Sequence, residues 1–204
     1  MPLYRDFSDD NATILIWKYD EHEDLNINEL LEPENAEKVK DYHPNKLLEV
    51  LMVRKILKSV KPYAKILYKE REPFLFPKDA EISITHSFPF AAIAISRNKI
   101  GIDIEKFNPK ILRVIDKFTY ENERGFIPFD NEVTFYTIIW SVKESMYKIH
   151  HSKHWSLKKH YEVKPFELKH LHKISCRVHD DKMSDEFKAR VEFFDDYCFT
   201  IVEE

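Results

Sequence analysis

The stretch Gly101-Ile102-Asp103-Ile104-Glu105 alternates apolar and acidic residues. In a β-strand successive side chains point to opposite faces, so Asp103 and Glu105 share one face while Ile102 and Ile104 share the other. Two neighbouring carboxylates repel each other unless water solvates them or a cation sits between them. Hard divalent cations take oxygen ligands, commonly one or two carboxylates together with substrate phosphates. Further along, Trp140-Ser141-Val142-Lys143-Glu144-Ser145-Met146-Tyr147-Lys148 reads as helix. Residues four apart are neighbours there, so Trp140, Glu144 and Lys148 line one face and add a third carboxylate beside a cation. Such a set suits metal-assisted phosphoryl or phosphodiester chemistry. The metal neutralises the phosphate, a carboxylate takes a proton, and a lysine balances the departing oxygen.

These two segments, preceded in order by Ser83-Ile84-Thr85-His86-Ser87, resemble the 4′-phosphopantetheinyl transferase superfamily, in its small monomeric surfactin-type branch. The resemblance runs from about Asn45 to Phe166. It implies an α+β fold made of a pseudo-twofold pair of similar α+β subdomains with the active site between them. Here these would be approximately residues 1–98 and 99–204 of a single unit, 1–204, without a flexible linker. It also implies the activity: transfer of 4′-phosphopantetheine from coenzyme A to a serine of an apo acyl or peptidyl carrier protein. The by-product is 3′-phosphoadenosine 5′-phosphate, and the metal is Mg²⁺ or, in its place, Mn²⁺.

Carried over residue by residue, the resemblance makes Asp103, Glu105 and Glu144 the metal ligands. Glu144 becomes the general base, acting directly or through a water. A glutamate held by a metal and a lysine is ionised and only a modest base. Lys148 stabilises the transferring or leaving phosphate, and Lys143 does likewise or pairs with a strand carboxylate. Coenzyme A falls to Arg54 at its 3′-phosphate, to Thr85 and His86 at its phosphates, and to Lys46 as a second phosphate contact. Glu123 matches a family glutamate that positions the metal-site water or the adjacent lysine. Three positions depart from the pattern. Relatives carry Gly-Lys-Pro where this chain has Arg71-Glu72-Pro73, and Gly-Lys-Gly where it has Ser152-Lys153-His154. Glu72 replaces a lysine near the nucleotide, and Ser152 and His154 replace two glycines of a segment near carrier docking.

Composition sets the bounds. A chain of 204 residues, 43% hydrophobic, 33% charged and 14% aromatic, is that of a globular protein able to bury a core. Glycine occurs twice, against roughly 7% in average usage, which singles out Gly101 as a turn or a place of close backbone approach. The net charge of −4 hides an asymmetry: residues 143–173 hold eight Lys, no Arg, three Glu and no Asp, or +5, leaving −9 for the rest. Six of the ten His lie in the same stretch. A basic segment in an acidic protein points to a local anionic partner, and carrier proteins of this family present acidic helices. The segment is too short and too poor in interleaved aromatics for a nucleic-acid binder. No apolar run reaches membrane-spanning length, and the N-terminus has no signal-peptide profile. With two cysteines, Cys176 and Cys198, and no metal-type cysteine spacing, the reading is a cytoplasmic protein, and the resemblance to the small branch implies a monomer.

The elements that must position these groups follow from periodicity. Strands are expected over 12–19, 64–68, 82–87, 90–96, 100–105, 174–178, 186–194 and 197–202. Helices are expected over 28–42 (broken at Pro33), 45–60, 109–117 and 131–150, with Thr119 capping a further one. Strands and helices in this order read as α+β. Two alternatives use the same residues: a non-catalytic coenzyme A or carrier-protein binding relative, and a metal-dependent phosphodiesterase with water as acceptor.

Overall fold

Phe90–Ser96 carries no charge and buries every residue, which marks a strand covered on both faces. The computed structural model describes residues 3–203 and divides into two units, Met1–Lys99 and Ile100–Glu204. In the first, the chain order is β1 (Leu3–Asp6), β2 (Ala12–Lys18), α1 (Ile27–Leu30), α2 (Pro33–Val39), α3 (Pro44–Val60), β3 (Lys65–Lys69), β4 (Glu72–Phe76), β5 (Glu81–Ser87) and β6 (Phe90–Ser96). The strands form an antiparallel sheet in the order β1-β2-β6-β5, with β3 and β4 as a separate hairpin. Pro44 opens α3, where its missing N–H costs nothing, and the His43 side chain accepts from the Asn45 N–H. Met52, Val53, Ile56 and Leu57 recur at helical spacing and pack with Leu15, Trp17, Ile82 and Ile93 of the sheet.

The second unit runs β7 (Ile100–Lys106), α4 (Ile115–Phe118), α5 (Glu132–Ile149), α6 (Leu157–His160), β8 (Tyr161–Val163), β9 (Ile174–His179), β10 (Ser184–Phe194) and β11 (Tyr197–Glu203), with three short 3-10 turns before α5. Its antiparallel sheet has the order β7-β11-β10-β9-β8. Helix α5 lies on β7 and β11. Val142 and Met146 enter the core with Cys176, Val178, Cys198 and Val202. Ser141 Oγ and Ser145 Oγ, one turn apart, both reach Thr200 Oγ1 on β11, at 2.9 and 2.6 Å. The chain is thus mixed α+β. Both cysteines are free and buried in this core. Among the described residues no helix is long and apolar enough to cross a membrane.

Gly101 has a specific reason. A Cβ there would lie 2.1 Å from the carbonyl oxygen of Ser145, so only glycine lets α5 sit this close to β7. The close approach is to the protein's own helix, and the turn expected as the other reading comes earlier. Thr119 closes α4 through its N–H to Ile115 O, and Tyr120 rather than Thr119 begins the following 3-10 turn. The span 109–117 divides into a 3-10 turn, Pro109–Arg113, and α4. Four elements escape periodicity: β1, β4, β8 and α6. Each has five residues or fewer, too short for a period to register.

Candidate functional site

The nine residues Trp140–Lys148 divide their work by helical angle. Two serines fix α5 to β11, and two apolar residues fill the core. Of the others, Trp140 and Lys148 reach β7, and Lys143 reaches the loop before α5. Trp140 Nε1 donates to Glu105 Oε1 at 2.7 Å. Lys148 Nζ donates to Asp103 Oδ1 at 2.9 Å and to Ile102 O at 2.7 Å. Asp103 and Glu105 thus face the same helix, as their alternation predicts, while Ile102 and Ile104 are fully buried. Gly101 is what lets that helix come near enough.

The electrostatics record crowding of negative charge. Burial and then the charge of Asp103 push the Glu105 carboxyl up to about 7, with Glu144 adding to the rise and the Trp140 hydrogen bond and Lys148 opposing it. Burial, followed by Asp103, raises the Glu144 carboxyl too, again against Lys148. A low, ionised Glu144 was expected with a metal beside it; the protein's own groups move it the other way. Three carboxylates against one lysine leave excess negative charge in a poorly hydrated place. A hard divalent cation with oxygen ligands fits that deficit.

Lys143 does not join this group. It is fully buried, and its Nζ donates to Glu123 Oε2 at 2.8 Å and to Phe118 O at 2.7 Å, with Leu157 O at 3.4 Å. Of the two readings for Lys143, phosphate contact or a strand carboxylate partner, the structure gives neither: its partner is Glu123. Glu123 is itself fully buried and accepts from the Tyr120 and Val163 N–H groups at 2.6 and 2.7 Å. Burial dominates both partners, raising Glu123 and lowering Lys143 to about 8. Glu123 holds the adjacent lysine, one of the two roles expected for it.

In the first unit, Lys46 on α3 and His86 on β5 come together, with Lys46 Nζ 2.8 Å from His86 Nε2. Glu49, one turn along α3, supports both. Its Oε2 lies 3.1 Å from His86 Nδ1 and 3.7 Å from Lys46 Nζ, and its Oε1 accepts from the Phe88 N–H at 2.9 Å. The ring is thus oriented with Nδ1 toward Glu49 and Nε2 toward Lys46. Burial works to raise Glu49, but the His86 hydrogen bond and charge, with Lys46, outweigh it and hold the carboxyl below its usual value.

Thr85 and Arg54 stand apart from that pair. Thr85 precedes His86 in an extended strand and is buried, so the two side chains take opposite faces. Arg54 is only 2% exposed and is engaged internally: Nε donates to Glu32 Oε2 at 2.7 Å and Nη1 to Val50 O at 3.2 Å. Glu32 Oε1 accepts from the Ile66 N–H at 3.1 Å, and its Oε2 also accepts from Asn35 Nδ2 at 3.0 Å. The guanidinium that was expected at a phosphate is thus turned inward, against Glu32.

Glu49 and Glu32 are polar groups that sequence reasoning missed. Glu49 had a signal, an acid three residues from Lys46 within an apolar helix face. Glu32 had none beyond standing before Pro33. At the departures from the family pattern, Glu72 opens β4 opposite Lys69, and Arg71 takes φ 74° where relatives carry glycine. Ser152 and His154 lie beside His150, with Ser152 Oγ 2.6 Å from His150 Nδ1.

A family model described as the 4′-phosphopantetheinyl transferase superfamily (ACPS) matches residues 99–202, half of the chain. The chain is also similar to the 4′-phosphopantetheinyl transferase gsp of Aneurinibacillus migulanus, 32% identical over 118 residues. That match covers 54% of this chain and 49% of the relative, so the chain spans about half the length of the curated relative.

Proposed function

Because the chain belongs to the 4′-phosphopantetheinyl transferase superfamily, we propose that it transfers 4′-phosphopantetheine from coenzyme A to a serine hydroxyl of an apo carrier protein, releasing 3′-phosphoadenosine 5′-phosphate. The observation that carries this reading is the cluster of Asp103, Glu105, Glu144 and Lys148. Its excess of negative charge, expressed in the raised Glu105 and Glu144 carboxyls, is what a cation-dependent phosphoryl-transfer site requires. We assign Mg²⁺ to the three carboxylates, with Mn²⁺ as its substitute. When bound, the ion supplies charge neutralisation for the pyrophosphate.

The chain's own residues do the rest. Glu144 accepts the serine proton, directly or through a water. Lys148 holds Asp103 in orientation and carries positive charge for the phosphate oxygens. Trp140 fixes the Glu105 rotamer through its indole N–H. Lys46 and His86 bind coenzyme A phosphate, Glu49 orienting the imidazole so that Nε2 lies on the Lys46 side. Thr85 and Arg54 support this from within the fold, Thr85 through the β5 backbone and Arg54 by tying α3 to the segment before α2. Lys143 supports Glu144 by fixing α5 against Glu123. Positioning and charge neutralisation supply most of the acceleration. The proposal takes residues 1–204 as one transferase, a cytoplasmic monomer. Its docking surface for an acidic carrier is the Lys- and His-rich segment after Glu144.

Intact-protein mass spectrometry of apo carrier proteins tests this. Carriers incubated with the protein, coenzyme A and Mg²⁺ gain one phosphopantetheine mass, and the gain disappears with EDTA and with Glu144→Gln. Carriers that stay unmodified across acyl, polyketide and peptidyl types contradict the reading.

A further inference from the structure

A second donor set lies past the C-terminal end of α5. His150, His151 and Asp185 each offer a ligand atom, and these atoms lie within 4.8 Å of one another. His150 closes α5, its N–H bonding Met146 O, and its ring is buried. Its Nε2 faces Asp185 Oδ2 at 2.9 Å. Its Nδ1 lies 2.6 Å from Ser152 Oγ and accepts from the Ser152 N–H at 3.2 Å, so Nε2 carries the proton shared with Asp185; an ion taken by Nε2 displaces that proton, and Nδ1 then donates to Ser152 Oγ. Asp185 comes from the first turn-proximal residues of β10, and His151 is exposed. His154 stacks 6.3 Å from the His150 ring.

We propose that His150, His151 and Asp185 form a binding site for a divalent ion of the zinc class. Two imidazoles and one carboxylate are donors that zinc takes well and that magnesium, which prefers an all-oxygen shell, does not. Three protein ligands leave a fourth tetrahedral position for water or an exogenous donor. Bonds of about 2.0 Å place tetrahedral ligands roughly 3.3 Å apart, and rotation of the exposed His151 supplies that closure. His150 is buried and held against Asp185 and Ser152, while His151 is exposed and closes on the ion, so two of the three donors are in place before the ion arrives. The bound ion joins the end of α5 to the start of β10. It differs in place and donor chemistry from the carboxylates of Asp103, Glu105 and Glu144, and it stands whether or not the transferase reading holds.

The test titrates Zn²⁺, and Co²⁺ as a spectroscopic stand-in, into the untagged full chain by calorimetry and visible absorption, in the presence of millimolar Mg²⁺. One equivalent binds, the thermal midpoint rises, and Co²⁺ shows the intense bands of a tetrahedral site. His151→Ala and Asp185→Asn each weaken binding at least tenfold, while Glu144→Gln leaves it unchanged. Circular dichroism of His151→Ala matches the parent, since the ring is exposed. No zinc binding at micromolar protein, binding unaffected by both substitutions, or binding abolished by Glu144→Gln or by Mg²⁺ overturns the proposal.

Discussion

Under α3 the Arg54 guanidinium pairs with Glu32; under α5 the Lys143 ammonium pairs with Glu123. Both pairs are buried, both join a long helix to a preceding segment, and both glutamates also accept backbone N–H groups. They differ in balance. At Glu32 burial raises the carboxyl, but the charge and hydrogen bond of Arg54 outweigh it and hold the group below its usual value. At Glu123 burial wins, and Lys143 is lowered as well. A guanidinium is always charged and spreads its charge over a planar fork, whereas an ammonium is compact and costly to dehydrate. The contrast shows that a buried ion pair is not one kind of energy. The first pair contributes stability by being charged, and the second is carried by the packing around it. The same contrast runs through the candidate site residues: the first unit gathers Lys46 and His86, and the second gathers Asp103, Glu105 and Glu144, which the proposed function assigns to an anion and a cation respectively.

The comparison breaks most visibly when one partner is removed. Glu32→Ala leaves Arg54 buried and unpaired, and Glu123→Ala does the same to Lys143; each lowers stability by about 3–5 kcal/mol in urea unfolding. The apolar double replacements separate the pairs. Glu123→Leu with Lys143→Met is close to neutral, whereas Glu32→Leu with Arg54→Met stays destabilising. Equal outcomes for the two doubles would erase the distinction. Gly101→Ala comes next, costing roughly 1–3 kcal/mol from overpacking, because its methyl meets the Ser145 carbonyl. That substitution lowers transfer more than coenzyme A affinity, since it displaces α5.

Acid separates the units more gently. The Glu32 contribution is complete above the ordinary glutamate value of 4.5 and is lost as pH falls through its depressed value. Glu123, raised, runs oppositely: its contribution is present at low pH and is lost as pH rises through its folded value. Hydrogen-exchange protection, corrected for intrinsic rates, therefore falls in α3 as pH drops from about 5 toward 3, while α5 keeps its protection. Earlier loss in α5 contradicts the assignment. The smallest effect is Arg71→Gly, which relieves a left-handed backbone and stabilises by about 1 kcal/mol, read as a shift in the urea midpoint.

Much of the second unit could be read from its sequence because its determinants are local. Alternation in Gly101–Glu105 fixed a face, and a four-residue period in Trp140–Lys148 fixed the opposing one. The structure adds who touches whom: Trp140 with Glu105, Lys148 with Asp103. In both units, contacts between residues distant in sequence were less readable. Arg54 and Lys143 look like surface cations in isolation, and their burial depends on glutamates 22 and 20 residues away. No period reports such a partner. Glu49 was hidden for the same reason, since its role depends on His86 arriving from another element. The His150, His151 and Asp185 set likewise needs β10 to return to the end of α5, so a count of histidines suggested basicity rather than ligation.

Calorimetry of coenzyme A binding, with and without Mg²⁺, tests the division between the two units most directly. The account predicts that His86→Ala weakens binding by a similar factor in both conditions, and that Glu144→Gln removes only the Mg²⁺-dependent increment. Metal-free binding that falls as much in Glu144→Gln as in His86→Ala would contradict it.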